Sequence, residues 1–261
     1  MQHPREQTSA LPPITLVGRG RVGTALARAG AARAVELTHA GRDDLDARLR
    51  AAQVALLCVA DAEIGGACAS VVEAGSRLRF VGHTSGATPL AELAAATEAG
   101  IATFSLHPLQ TIPDGDADLI GTPAAVAGSD EEALALGWSL ARRLGLSPFE
   151  VPEDSRAAYH AAASMASNFL VALEESAAEL LATAGIEDPR GLLTPLVLRT
   201  AANWAERGEA ALTGPIARGD EKTIAAHLDA LAREAPQLEP LYRALAERTA
   251  SLAGGRAGAT T

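Results

Sequence analysis

Up to residue 151, strand-length apolar runs alternate with helix-like segments, and beyond Pro152 the runs stop. The runs fall at 14–17, 35–39, 54–59, 78–83 and 101–106, with two more at 124–127 and 147–151. Helical patterns fill most of the gaps, at 22–32, 62–73, 90–99 and 131–144. Such alternation makes a parallel sheet, because a parallel pair needs a long crossover and the crossover helices cover both faces. From 152 onward helices follow one another: one over 155–184, ended by Gly185, then 189–207, 221–234 and 238–252. Pro195 should kink or divide the second. The expected architecture is α/β over 13–151, a doubly wound parallel sheet, followed by an all-α domain over 152–252.

The first turn of that sheet reads "LVGRGRVGTAL" and lies between a strand and a helix. Its glycines have separate tasks: Gly18 permits a tight turn, Gly20 lets backbone approach a pyrophosphate, and Gly23 lets helix pack against strand. Gly18, Arg19, Gly20, Arg21, Val22 and Gly23 would then cradle phosphate at a helix N-terminus, where free N–H groups and the helix dipole favour anions. A glycine-rich turn with no ligand is the plainer account of the same residues.

The second strand ends in "THAGRDD", about 20 residues beyond the glycines, where a dinucleotide-binding fold reads the adenosine ribose. A carboxylate there suits the 2′-hydroxyl of NAD, whereas an arginine suits the 2′-phosphate of NADP. Arg42 comes first, with Arg19 and Arg21 nearby, and the planar guanidinium fork matches phosphate geometry. NADP is the expected cofactor. NAD is the alternative because Asp43 and Asp44 follow directly, and a solvated turn is the bland account of all three charges.

A net charge of −10 argues against nucleic acid and anionic membrane as partners. The two cysteines, Cys58 and Cys68, both lie in apolar or Ala-rich stretches and provide no disulfide framework, which points to a reducing compartment. No apolar run has the length of a membrane span, and the opening MQHPREQTSALPP lacks an apolar signal core. A cytoplasmic protein that acts on a small molecule without a metal is expected, with its first dozen residues and its tail from 253 unstructured.

Ligands of open α/β sheets bind beyond the carboxyl ends of the strands. There "VADAEI" places Ala60 and Asp61, although Asp61 suits a helix N-cap equally well. "VGHTSGATP" brings His83, Thr84 and Ser85, and "SLHPLQT" brings His107 and Gln110. In "YHAAASMASNFLVALEE", His160, Ser164, Ser167 and Asn168 fall at i, i+4, i+7 and i+8, on one helical face. A buried polar stripe needs partners, which either an interdomain seam or a bound substrate would supply. "LTGPIARGD" places Asp220 to cap the next helix. Arg218 is left to clamp a substrate carboxylate or to stand at a subunit interface.

The stretches "VGRGRVG", "HTSGATPL", "SLHPLQTI", "YHAAASMASNFLVAL" and "LTGPIARGD" together resemble the 6-phosphogluconate dehydrogenase-like superfamily. Within it the chain is similar to the Rossmann-like proteins with a DUF2520 helical domain, from about residue 14 to 232. The resemblance implies a Rossmann-type NAD(P) domain joined to a helical domain that pairs in a homodimer. Related β-hydroxyacid dehydrogenases and ketopantoate reductases carry a lysine four residues before an asparagine on the first interdomain helix. That lysine moves a proton to or from the substrate oxygen. Asn168 matches the asparagine, but Ser164 stands where the lysine would be, and the chain's only lysine is Lys222.

Histidine suits the acid role left open. His160 is the first candidate and His107 the second, with Ser164 and Asn168 orienting the substrate and Ser167 and Arg218 touching it. The expected function is an NADP-dependent oxidoreductase that passes a hydride between nicotinamide and a small carbonyl or imine substrate. The resemblance implies a 2-oxo acid of the ketopantoate type, bound between the two domains. A dinucleotide-binding sensor or scaffold without turnover is the rival expectation, and a deazaflavin hydride partner is a third that the resemblance allows.

Overall fold

The computed structural model describes residues 11–258, and the expectations for residues 1–10 and 259–261 lie outside that range. The first half runs β1 (Ile14–Val17), α1 (Arg21–Ala32), β2 (Leu37–Ala40), α2 (Leu45–Leu49), β3 (Val54–Leu57), α3 (Ile64–Ala74) and β4 (Phe80–His83). It continues with α4 (Ala94–Glu98), β5 (Ala102–Pro108), β6 (Pro123–Gly128), α5 (Glu131–Arg143) and β7 (Ser147–Glu150). All seven strands join one sheet in the order β2-β1-β3-β4-β5-β6-β7. The order reverses at β1, which pairs with β2 on one side and β3 on the other. That reversal opens a crevice at the carboxyl end of β1, where the glycine turn lies.

The sheet is parallel except between β5 and β6, which run antiparallel with Phe104 opposite Gly128. No helix separates Pro108 from Pro123, so the chain has no crossover with which to return in parallel. Helix α5 then carries β6 to β7 in parallel, as a crossover should.

Alternate strand residues feed two cores. Leu16, Leu56, Phe104 and Val126 pack with Leu26 of α1 and Leu140 of α5. Val17, Ala55, Leu57 and Val81 pack with Ile64 and Val71 of α3 and with Leu93. Phe104 fits because Gly82 on the neighbouring strand has no side chain: a Cβ there would stand 2.6 Å from the Phe104 ring.

Beyond β7 come α6 (Arg156–Ala166), α7 (Asn168–Thr183), α8 (Pro189–Arg207), α9 (Pro215–Arg218), α10 (Glu221–Glu234) and α11 (Glu239–Gly258). The chain divides into two compact units, Met1–Met165 and Ala166–Thr261, so most of α6 belongs to the first. The single helix expected over 155–184 is two helices, because Ser167 leaves helical geometry at φ −123° and ψ −81°. Serine competes for backbone hydrogen bonds and so tolerates such a break.

In the second unit Pro195 does not divide α8, which continues past it to Arg207. Asp188 caps α8 at Gly191 N (2.9 Å), and Asp220 caps α10 at Thr223 N (3.1 Å) as the sequence predicts. Helix α11 runs on to Gly258, into the tail expected to lack structure. Neither α7 nor α8 buries a single residue fully. Among the described residues no helix is long and apolar enough to cross a membrane.

A glycine cradle and an imidazole cluster

The glycine turn is tightly closed at two of its glycines and open at the third. Gly18 adopts φ +107°, and a Cβ on it would lie 2.5 Å from the Cys58 carbonyl oxygen. A Cβ on Gly23 would lie 2.5 Å from the Gly18 carbonyl oxygen. Gly20 differs, because a Cβ there would meet only the Cys58 oxygen, at 3.9 Å. Gly18 and Gly23 thus close the turn against β3 and α1, while Gly20 leaves space open at the N-terminus of α1. No acidic residue lies in the first turn of α1, and no side chain caps it. Its leading N–H groups are therefore not engaged by a capping side chain. His39 on β2 braces the turn from behind, donating from Nε2 to the Gly18 carbonyl at 2.6 Å.

This turn forms one wall of a cleft of about 900 Å³. Of the residues predicted to bind cofactor, Gly18, Arg19, Gly20, Arg42 and Ala60 line it. Cys58 and Glu63 also line it. Burial pushes the Cys58 thiol up to about 12, which leaves it a neutral wall. Arg21, Val22, Gly23, Asp61, Thr84 and Ser85 do not line it. Val22 packs against the first core, and Arg21 points to the Pro113 carbonyl. Asp61 opens a short 3-10 turn without capping it. Thr84 and Ser85 are buried, and Ser85 Oγ accepts from Ala87 N and Thr88 N to shape its own loop.

The charges at the end of β2 are already paired. Asp44 accepts from Gly41 N at 2.7 Å, from Arg19 at 2.8 Å and from Arg48 at 3.2 Å. The Gly41 N–H first, then Arg48 and Arg19, hold its carboxyl below the usual carboxylate range. Arg42, almost fully exposed, pairs with Glu63 at 2.9 Å.

A second constellation lies at the ends of β4 and β5, against the start of α6. Arg156, the first residue of α6, is buried. Its guanidinium donates to Glu153 (2.6 Å) and to Ser105 Oγ on β5 (2.8 Å), and it approaches the Ser85 carbonyl at 3.5 Å. A buried cation costs energy unless paired and hydrogen-bonded, and Glu153 and Ser105 meet that need. One helical turn later, Tyr159 OH lies 2.7 Å from His107 Nδ1. The His160 ring stands 6.2 Å from that of His107, edge to face. A Cβ on Gly86 would fall within 2.9 Å of the His107 ring, so this glycine lets the imidazole lie flat against backbone.

His83 completes the group. It is fully buried, and neither ring nitrogen has a hydrogen-bond partner among the described residues. Burial first, then the Arg156 charge, lowers its pKa to about 4. Burial, His160 and Arg156 lower His107 to about 4 as well, and Asp61 opposes both shifts. Both imidazoles are neutral near pH 7.

Of the predicted helix stripe, His160 and Ser164 share α6 with Arg156. Ser167 marks the break and Asn168 begins α7, in the other compact unit. Arg218 ends α9 in that unit, where its charge helps depress the Asp220 carboxyl after the Thr223 hydrogen bonds. Sequence reading missed Arg156, Glu153, Tyr159 and His39. Arg156 lies four residues before His160, so extending the polar stripe one turn backward would have found it. Among the described residues no three His, Cys, Asp or Glu side chains are grouped to hold a metal.

Residues 122–249 match the family described as "Domain of unknown function (DUF2520)". This segment resembles a DUF2520 domain. Its match begins just ahead of β6 and runs into α11, so the DUF2520 segment includes the last strands of the sheet as well as the helices. No curated protein matches the chain. Solved structures share its fold. A Bacteroides fragilis protein named as a candidate NADP oxidoreductase is 24% identical with a TM-score of 0.76, over 93% of this chain and 99% of that one. A Thermotoga maritima protein is 20% identical with a TM-score of 0.72, over the same shares. A Plasmodium falciparum pyrroline carboxylate reductase with NADP bound is 13% identical with a TM-score of 0.61, over 94% and 99%.

Proposed function

We propose that this protein is an NADP-dependent oxidoreductase acting on a small carbonyl or imine compound. The observation that carries the reading is the glycine cradle. Gly18 and Gly23 are required by packing alone, whereas Gly20 opens space at an uncapped helix N-terminus, which a ligand's pyrophosphate would use. The residues present fit the group. Gly18, Arg19 and Gly20 would hold the pyrophosphate, and Arg42, with Arg19 beside it, the 2′-phosphate of the adenosine ribose. Asp44 already accepts from Gly41, Arg19 and Arg48, which disfavours it as the ligand of the NAD ribose hydroxyl.

Bound NADP(H) would supply or accept the hydride. The protein's own part is to manage the charge and proton on the substrate oxygen or nitrogen. His160 is the proposed proton donor, with His107 beside it as a neutral hydrogen-bond donor. Ser164, Ser167 and Asn168 are proposed to orient the substrate, and Arg218 to receive its carboxylate. Ketopantoate-type 2-oxo acids are candidates by family resemblance. Pyrroline carboxylates, whose ring holds a C=N bond, are candidates by likeness to the reductase of Plasmodium falciparum. A homodimer through the exposed apolar faces of α7 and α8, in the cytoplasm, completes the proposal.

The test is NADPH binding followed by fluorescence, with NADH and Arg42→Ala as comparisons, then turnover on 2-oxo acids and cyclic imines. NADPH-selective binding that Arg42→Ala weakens supports the reading. Absence of binding to either nucleotide overturns it, and selective binding with no turnover on any substrate leaves a sensor.

A further inference from the structure

His107 can carry its single ring proton on Nδ1 or on Nε2, and only one choice makes it useful at its free edge. Its Nδ1 lies 2.7 Å from the Tyr159 hydroxyl, while its Nε2 has no partner among the described residues. A phenol is a far stronger acid than a neutral imidazole N–H, and an imidazole nitrogen is a better acceptor than a phenol oxygen. The favoured bond therefore runs from Tyr159 O–H to Nδ1, which puts the proton on Nε2. The surroundings suit this arrangement. The Tyr159 ring lies edge-on between His107 (5.7 Å) and Phe149 (6.0 Å), and the missing side chain of Gly86 leaves the room that the imidazole occupies.

We propose that Tyr159 is a positioning residue that locks His107 in its Nε2–H form, so that the ring donates a hydrogen bond to the substrate atom on which charge collects. The proposal rests on the oxidoreductase reading for its purpose but not for its geometry. The charged and titratable groups around His107 are Asp61, His83, Arg156, His160 and Tyr159. Arg156 and His160 both disfavour a second proton on the ring, and burial does so more strongly. Tyr159 keeps its own proton across the neutral range, since burial pushes it up to about 12. A neutral ring of fixed tautomer needs no protonation before it can donate, so its service does not depend on pH near neutrality. His160, on the next residue of α6, remains the proposed source of the transferred proton.

The test is nitrogen NMR of the imidazoles in the full-length chain, with and without NADPH, using His107→Gln to assign the His107 signals. In the wild type Nδ1 should be bare and Nε2 protonated, unchanged from pH 8 down to pH 5.5. In Tyr159→Phe, which keeps both ring contacts and loses only the hydroxyl, the two tautomers should mix. A wild-type ring protonated on Nδ1, or a tautomer indifferent to Tyr159→Phe, overturns the proposal whether or not the protein turns over. With NADPH and 1-pyrroline-5-carboxylate as the turnover probe, Tyr159→Phe should lower kcat about tenfold or more while leaving KM and NADPH affinity nearly unchanged. Unchanged kcat also overturns it. Failure of the wild type to bind NADPH would instead remove the oxidoreductase reading, and the tautomer result would stand on its own.

Discussion

The Arg19 guanidinium stands 2.8 Å from Asp44 Oδ2, so the carboxylate that follows the second strand is engaged before any ribose reaches it. Arg42 is engaged in turn by Glu63, and Arg19, Arg42 and Glu63 all line the cleft. Exposed pairs of this kind are worth roughly 0.2–1 kcal/mol. Glu63→Gln should therefore free Arg42 and tighten NADPH binding by about two- to fivefold at low salt, with NADH unaffected. Titration of both nucleotides at two salt concentrations checks this, since the gain should shrink as salt rises.

The three glycines of the turn should respond differently to alanine. Gly18→Ala meets a backbone oxygen and a left-handed φ together, so thermal unfolding should show a loss of about 2 kcal/mol or more. Gly20→Ala should keep its stability within about 0.5 kcal/mol, because the added methyl meets nothing closely. Its NADPH affinity should nonetheless fall about tenfold, which is the cost of roughly 1.4 kcal/mol of lost approach.

Acid should destabilise the fold through His83 and His107. Both have folded pKa values of about 4 against an ordinary 6.5, so between those values the unfolded chain binds more protons. Stability then rises with pH across that window, and it is lost as pH falls from about 6.5 toward 4, by up to about 3 kcal/mol for each group. Denaturant unfolding at stepped pH should show the loss, and His83→Phe should flatten its slope. At pH 7 His83→Phe should be neutral or stabilising, since it removes two unpartnered buried nitrogens.

His160→Ala should lower turnover by about a hundredfold or more while leaving NADPH affinity unchanged, if the ring delivers the proton. Steady-state rates paired with nucleotide titration separate the two effects.

Trp204 and Leu196 are 68% and 64% exposed and lie eight residues apart on α8, with Leu192 a further turn back. An apolar stripe of that kind on a helix fits a homodimer. The wild type should sediment as a dimer and Trp204→Glu as a monomer.

Much of the fold was legible in the sequence because apolar runs and glycine turns act locally. The strand-turn-helix at Gly18 and the cap at Asp220 needed no knowledge of distant residues. The reversed strand β6 was not legible, since the absence of a crossover helix sets its direction and its own residues do not. The break at Ser167 was hidden inside an uninterrupted helical pattern. At the site, His107 and His160 could be named from strand ends and helix spacing. Arg156 lay one turn further back on the same stripe and was within reach of that spacing, but its burial was not, because a polar helix start ordinarily faces water and only the approach of β5 buries it. Nothing in the pattern pointed to Tyr159. Asp44 read as a possible ribose ligand until its three partners were in view.

The fastening of α6 by Arg156 has a consequence for how such proteins diversify. The guanidinium ties the helix bearing Tyr159 and His160 to β5 within the same compact unit that holds the glycine cradle. Glycine turn and imidazole pair therefore belong to one compact unit, with the supports of the pair contained in it. Under the proposed function, substitution at Asn168 or Arg218 on the later helices would then alter substrate choice while leaving in place the contacts that hold Tyr159 and His160.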